Sequence, residues 1–281
     1  MTAPGDPSGA PGLFVSDIDG TLVTPDKQLT PGALEAVAAL KAAGVPFTVV
    51  SSRPPRGMRH IVDALGLALP FAAFNGGNIV DPAGQLVGSH RLAPQVARLA
   101  LKLIAAHGVA PWAFADDAWF VTDLDGPHVA HERMTVSFDA TVVADFESIM
   151  DRIDKIVAPS DDTPRLDGVE AALREKLGAE SNIERSQTYY VDVTHPLANK
   201  GQAVRALAVQ ACADLTHTVV IGDMPNDIAM FRVAGFSIAM GQAPESVKSA
   251  ASAETGPNTA DGFAQAVRSL VLPRLAPAKA R

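Results

Sequence analysis

The chain has 281 residues, 47% of them hydrophobic and 19% charged, with a net charge of −8 and a pI near 5.3. That apolar content can fill a sizeable core and excludes wholesale disorder, and at roughly 150 residues per domain the length predicts two domains. The acidity excludes a general nucleic-acid or anionic-membrane binder, and the lone cysteine, Cys212, excludes an intrachain disulfide framework and a zinc site of several thiolates.

In chain order, residues 1–12 are rich in Pro, Gly, Ser and Ala without the basic and apolar stretches of a signal peptide, which predicts a disordered tail. No apolar run nears the roughly 18 residues of a membrane helix, so a soluble, cytoplasmic protein is expected. Leu13-Phe14-Val15 is a short apolar strand that halts at an acidic, Gly-containing turn. Thr30 offers a helix N-cap with Pro31 behind it, and Ala33, Leu34, Val37 and Leu40 keep helical spacing until Gly44. Residues 47–50 read as a second strand, 58–65 as a helix closed by Gly66, and 71–74 as a third strand. Near-continuous apolar strands alternating with helices predict a parallel sheet covered on both faces.

From about residue 78 the rhythm changes. Residues 79–80 and 86–87 read as a hairpin around Asp81-Pro82-Ala83-Gly84, followed by a helix over 94–106 and β runs at 112–115 and 119–122. A strand at 155–157, a helix over 164–177 and a strand pair over 183–193 turning at Ser186-Gln187 follow. The α/β rhythm resumes at Lys200 with a helix to about 212, a strand at 218–221, a short helix at 228–233, a strand at 236–239 and a last helix over 262–272. The expected fold is α/β: a doubly wound, Rossmann-like parallel-sheet core over 13–80 and 195–272, interrupted by an α+β module over 81–194, with a second tail over 273–281.

Asp17-Ile18-Asp19-Gly20-Thr21 follows the first strand, at the end where open parallel sheets bind ligands. Alternation along an extended segment aims both carboxylates the same way, so they repel unless a cation or proton lies between them. A solvated acidic turn is the plain alternative. A calcium loop is excluded, because its twelfth position counted from Asp17 is Gln28 and not a glutamate. Ser51-Ser52-Arg53 follows the second strand, where Ser51 alone would read as a helix cap. Asn199-Lys200-Gly201 opens a helix with a lysine that alone would read as solvated. Gly222-Asp223-Met224-Pro225-Asn226-Asp227 ends a further strand, where an aspartate cap gains under about 1 kcal/mol from the helix dipole. Each has a bland reading singly; their joint placement at strand ends points to one site.

In this order DIDGT, SSR, NKG and GDMPND, with Phe74-Asn75-Gly76-Gly77 between them, resemble the motifs of the haloacid dehalogenase superfamily, in its Cof-type sugar-phosphatase branch, over about residues 13–272. The resemblance implies a magnesium-dependent phosphatase. Asp17 would attack phosphorus to give an aspartyl-phosphate, and Asp19 would protonate the leaving alkoxide and then activate water. Magnesium would be held by Asp17, by the backbone carbonyl of Asp19 and by Asp223. Ser51 and Lys200 would stabilise the non-bridging oxygens, with Arg53 and Asn226 as further phosphate ligands, and Asp227 would orient Lys200 or a metal-bound water. The branch more often has Thr-Gly-Arg where this chain has Ser51-Ser52-Arg53; the hydroxyl is kept and Ser52 narrows the pocket. Dehalogenases lack the second carboxylate, so Asp19 favours phosphate chemistry.

The insertion matches the position of that branch's cap, which closes over the cleft, excludes water and reads the leaving group. Arg91, His128, His131, Arg133 and Tyr189 are the residues considered for that reading, each also explicable as ordinary surface or core. His128 and His131 lack the further ligands a metal site would need. The implied substrate is a small phosphorylated metabolite such as a sugar phosphate, with neither nucleic acid nor membrane as partner, acting as a monomer or homodimer. A phosphotransferase or phosphomutase of the same superfamily is the alternative. A receiver-like signalling module is disfavoured by its shorter length, its lack of a cap and the mid-sequence position of its aspartate.

Overall fold

The computed structural model describes residues 11–275. Most of the expected first tail and residues 276–281 of the second lie outside that range. Within it, Gly12 is already anchored, its N–H donating to the His217 carbonyl at 2.8 Å. The last helix also runs further than expected, through a 3-10 turn at Leu272–Leu275 in which Arg274 lies over the Phe236 ring.

A five-stranded parallel sheet is built from β1 (Leu13–Ser16), β2 (Phe47–Val49), β12 (Thr218–Gly222), β13 (Phe236–Ala239) and β14 (Ala253–Glu254), in the order β14-β13-β12-β1-β2. Strand alternation sends its side chains to two cores. Phe14, Val219 and Ile221 meet helices α1 (Pro31–Ala42), α2 (Pro55–Leu65) and α9 (Gly262–Ala266). Leu13, Val15 and Val220 meet α6 (Lys200–Gln210), α7 (Ile228–Phe231) and α8 (Glu245–Lys248) on the other face. The doubly wound arrangement expected from the apolar strands is present. Its helices start where their caps say: Thr30 Oγ1 accepts from the Ala33 N–H, and Asn199 Oδ1 from that of Gln202, both at 3.0 Å.

The third strand lies parallel beside the end of the second, as expected, and takes a second partner as well. β3 (Phe71–Ala73) bridges in parallel from Ala72 to Val50, with the Ser51 N–H donating to the Ala72 carbonyl at 2.9 Å, and pairs antiparallel with β4 (Asn78–Val80), which pairs with β5 (Leu86–Ser89). Phe74 and Asn75 both take positive φ, 49° and 57°, and Gly76 takes 102°, so the chain reverses there and lays β4 back on β3. Apolar content predicts a strand but not which partner it takes.

The second sheet has six strands, ordered β10-β11-β9-β6-β7-β8: β6 (Trp112–Ala115), β7 (Ala118–Val121), β8 (Thr141–Val142), β9 (Ile153–Pro159), β10 (Asn182–Gln187) and β11 (Tyr190–Thr194). Helices α3 (Pro94–Ala106) and α5 (Thr163–Leu177) bury one face. The other face carries Trp112, Phe114, Trp119 and Tyr190, packed with Val129 and Val136 of α4 (Val129–Val136) and with Phe74 from the end of β3. The turn of the last hairpin is at Thr188-Tyr189, two residues later than expected, because a bulge between Arg185 and Gln187 lengthens β10. No helix among the described residues is long and apolar enough to cross a membrane.

Candidate active site

β1 ends one residue before Asp17, whose N–H still donates to the Ile221 carbonyl at 3.0 Å. The chain then coils tightly, the N–H groups of Leu22 and Val23 donating to the Ile18 carbonyl at 2.9 and 3.1 Å. Gly20 takes φ +80°, and a Cβ there would stand 2.1 Å from Asp223 Oδ2, so only glycine fits beside that carboxylate.

Lys200, at the start of α6, is 2% exposed. Its Nζ donates to Asp17 Oδ1 and to Asp227 Oδ1, both at 2.6 Å. Burial alone would favour the neutral amine, but the two carboxylates outweigh it and raise its proton affinity. Asp227 is itself fixed, its Oδ2 accepting from the Asp223 and Met224 N–H groups at 2.8 Å each. Burial raises the Asp17 carboxyl to about 7; Lys200 opposes that and Asp227 adds to it.

The two carboxylates of the first motif have different side-chain partners. Asp19 turns to other partners: Arg53 Nε donates to its Oδ2 at 2.6 Å, Arg53 Nη2 to its Oδ1 at 2.8 Å, and Lys27 Nζ to its Oδ1 at 2.7 Å. Burial disfavours the charge on Asp19, yet Arg53 and Lys27 prevail and hold its carboxyl well below the usual carboxylate range. Arg53, expected among the phosphate ligands, is thus committed to Asp19, with its Nη1 on the Gly57 carbonyl at 3.2 Å. Its side chain is almost wholly buried, and no other cation among the described residues gives Asp19 a two-pronged partner.

Ser51 sits beside this pair and accepts from the Arg53 N–H at 3.2 Å. Asn226 Nδ2 donates to Asn75 Oδ1 at 3.3 Å, and Asn75 Nδ2 reaches Glu184 Oε2 of β10 at 3.4 Å. The positive φ of Asn75 therefore serves to aim an amide between the GDMPND segment and the second sheet.

Whether these residues suit a divalent cation can be judged from the carboxylates. Asp17, Asp223 and Asp227 offer oxygens within 4.8 Å of one another, all three buried. Asp223 Oδ1 is buried with no hydrogen-bond partner. Burial, with Asp17 and Asp227 close by, raises the Asp223 carboxyl well above its ordinary value. A hard cation would relieve that repulsion and give the orphaned oxygen a partner, so the residues fit. The Asp19 side chain is engaged elsewhere.

Two adjoining cavities open over the site. The smaller lies over Asp17, Lys200 and Asn226. The larger runs from Asp19, Lys27 and Arg53 to a wall of the second sheet and α4 that includes His131, Glu132, Lys155 and Tyr189. Ser52 and the bulged Ser186-Gln187 segment line both. Of the five residues considered for reading a leaving group, His131 and Tyr189 are brought here, their side chains 3.1 Å apart. The other three are not. His128 stacks behind Tyr189 at 4.4 Å between ring centres, Arg91 pairs with Asp116, and Arg133 faces Asp139 on the surface. Lys27, Asn75, Glu132, Lys155 and Glu184 were not foreseen as site residues. Lys27, a cation in the turn after DIDGT, and Asn75, within Phe74-Asn75-Gly76-Gly77, carry a local signal; the rest depend on how the second sheet folds over the first.

Fold and site together define a hydrolase of the haloacid dehalogenase type. A model of the haloacid dehalogenase-like hydrolases matches residues 14–267, and the chain belongs to that family. It is 28% identical over 268 residues to a pyridoxal phosphate phosphatase of Escherichia coli, covering 92% of this chain and 97% of that one. It is 28% identical over 233 residues to an HMP-PP phosphatase of Cronobacter sakazakii, covering 82% and 84%. A haloacid dehalogenase-like hydrolase of Bacteroides thetaiotaomicron has the same fold at a TM-score of 0.80 and 24% identity, over 91% of this chain and 98% of that one.

Proposed function

We propose that the chain is a magnesium-dependent phosphatase that hydrolyses small phosphorylated metabolites, sugar phosphates foremost, with the phosphoryl group carried on Asp17. The observation that carries this reading is the buried Asp17 carboxylate, held by Lys200 at the end of a parallel sheet beside Asp223 and its unpartnered oxygen. Relatives named as phosphatases support the same reaction class.

A carboxylate oxygen of Asp17 forms a bond to phosphorus as the bond from phosphorus to the ester oxygen breaks. Lys200 and Ser51 stabilise the charge on the non-bridging oxygens, with Asn226 beside them. The alkoxide takes a proton from Asp19. As held by Arg53 and Lys27, Asp19 is ionised; an arriving phosphate dianion adds negative charge nearby and favours its protonation. Asp19 then takes a proton from the water that attacks the phosphoryl group, restoring Asp17 and releasing phosphate. Magnesium, when bound by Asp17, Asp223 and the Asp19 carbonyl, would neutralise charge between the anionic nucleophile and the anionic phosphate. In this reading residues 81–194 form the cap over a core of 13–80 and 195–272, and the larger cavity holds the leaving group.

The hydroxyl, amide and charged groups along that cavity suit a polyol. Tyr189 on its wall, with the Escherichia coli relative, makes pyridoxal phosphate the second class to assay. The test is phosphate release from a panel of sugar phosphates, pyridoxal phosphate and nucleotides, with and without magnesium. Magnesium-dependent release from at least one monoester is expected. A silent panel, or equal release from Asp17→Asn, contradicts the reading.

A further inference from the structure

We propose that Lys155 is a positioning residue that ties closure of the cap to the alignment of segment 51–53, an inference that rests on the phosphatase reading above. Lys155 projects from the middle of the six-stranded sheet and is 3% exposed. Its Nζ donates to the Ser52 backbone carbonyl at 2.9 Å and to Asp192 Oδ2 at 3.3 Å. It also lies 5.1 Å from the Phe114 ring centre and 5.9 Å from that of Phe74. Asp192 and Phe114 belong to the same sheet as Lys155; Ser52 and Phe74 belong to the other side of the seam.

A buried ammonium needs partners, and a lysine whose task was to neutralise Asp192 would find its partner within its own sheet. The bond to Ser52 forms only while the two sheets are pressed together. What it grips is informative. The Ser52 carbonyl and the Arg53 N–H are two ends of one planar peptide unit, and that N–H donates to Ser51 Oγ at 3.2 Å. The residue after the unit, Arg53, holds Asp19 by two bonds. Lys155 therefore fixes the plane from which both the phosphate-binding hydroxyl and the anchor of Asp19 are aimed. A tilt of that plane displaces both groups, and small misplacements of reacting groups are costly in rate.

The two tryptophans report on the same seam. Trp112 and Trp119 pack at 5.2 Å between ring centres, Trp119 stacks on Phe114, and Phe114 contacts Phe74 at 5.7 Å across the seam. Separation of the two sides would change their emission.

Lys155→Met alone would strand the Asp192 carboxylate, so the test uses Lys155→Met/Asp192→Asn beside Asp192→Asn, which keeps the donor to Ser52. The double variant is expected to lose roughly 10- to 100-fold in kcat/KM on the best substrate of the panel. Magnesium with orthovanadate should shift its tryptophan emission only at correspondingly higher orthovanadate concentration. Asp192→Asn should stay close to wild type in both measurements. A double variant that matches wild type, or an Asp192→Asn variant that loses as much as the double, overturns the role of Lys155. A wild-type chain that releases no phosphate from any ester overturns the phosphatase reading itself.

Discussion

The Arg53 guanidinium holds both oxygens of the Asp19 carboxylate, Nε on Oδ2 and Nη2 on Oδ1, in a fork that a lysine cannot reproduce. The pair joins the second strand's end to the first and fixes the carboxyl assigned to proton transfer. Arg53→Lys should therefore lower kcat for a sugar phosphate by roughly 10- to 100-fold with a small change in KM. An unchanged kcat with raised KM would return Arg53 to the phosphate-binding role expected from the sequence.

Asp223 has one buried oxygen without a partner, so its removal should act on the metal requirement. Asp223→Ala should shift the magnesium titration of activity to much higher concentration, with the melting temperature preserved or raised because a buried charge is gone. Superimposable magnesium curves for variant and wild type would dismiss Asp223 as a ligand.

The end of the fold that carries the candidate site was legible in the sequence because its residues come in local motifs. DIDGT, SSR, NKG and GDMPND each follow a strand or open a helix, and β1, β2, α6 and β12 lie where apolar runs and caps predict them. What was not legible depends on pairing across long separations. Nothing local says that β3 also pairs with β4, or that Lys155 reaches Ser52 across 103 positions. The pairing of Arg53 with Asp19 is hidden for the same reason: a guanidinium after a strand suits phosphate, and only the folded geometry shows that it holds Asp19. Arg91, His128 and Arg133 were drawn from the right segment but are held by Asp116, Asp161 and Asp139.

Asp154 supplies a test of the electrostatics away from the catalytic groups. Burial raises its carboxyl from 3.8 to about 6, against the pull of Arg91 and the hydrogen bond from Asn78. The folded chain then binds this proton more tightly than the unfolded chain, so its contribution to stability is full below pH 4 and is lost as pH rises through 6. Asp154→Asn should stabilise the protein by up to about 3 kcal/mol at pH 8 and have little effect at pH 4. Equal changes in unfolding free energy at the two pH values would contradict the shift.

In the proposed mechanism Asp19→Asn separates proton transfer from metal binding, since the side chain is assigned to the first and the carbonyl to the second. Turnover of a sugar phosphate, whose alkoxide leaves poorly, should fall by about 10² to 10⁴. The first step with p-nitrophenyl phosphate should be spared, because nitrophenolate leaves without a proton, so the variant should keep a nitrophenolate burst. Loss of the burst together with equal losses for both substrates would refute the acid role.

The central claim is that Asp17 carries the phosphoryl group, and acid-quenching the enzyme during turnover tests it most directly. Mass analysis of the digested chain should find a phosphoryl increment on the peptide containing Asp17, more abundant in Asp19→Asn because hydrolysis of the intermediate is slowed, and absent in Asp17→Asn. An active enzyme whose Asp17 peptide is never phosphorylated, or an Asp17→Asn variant that still turns over, would contradict the account.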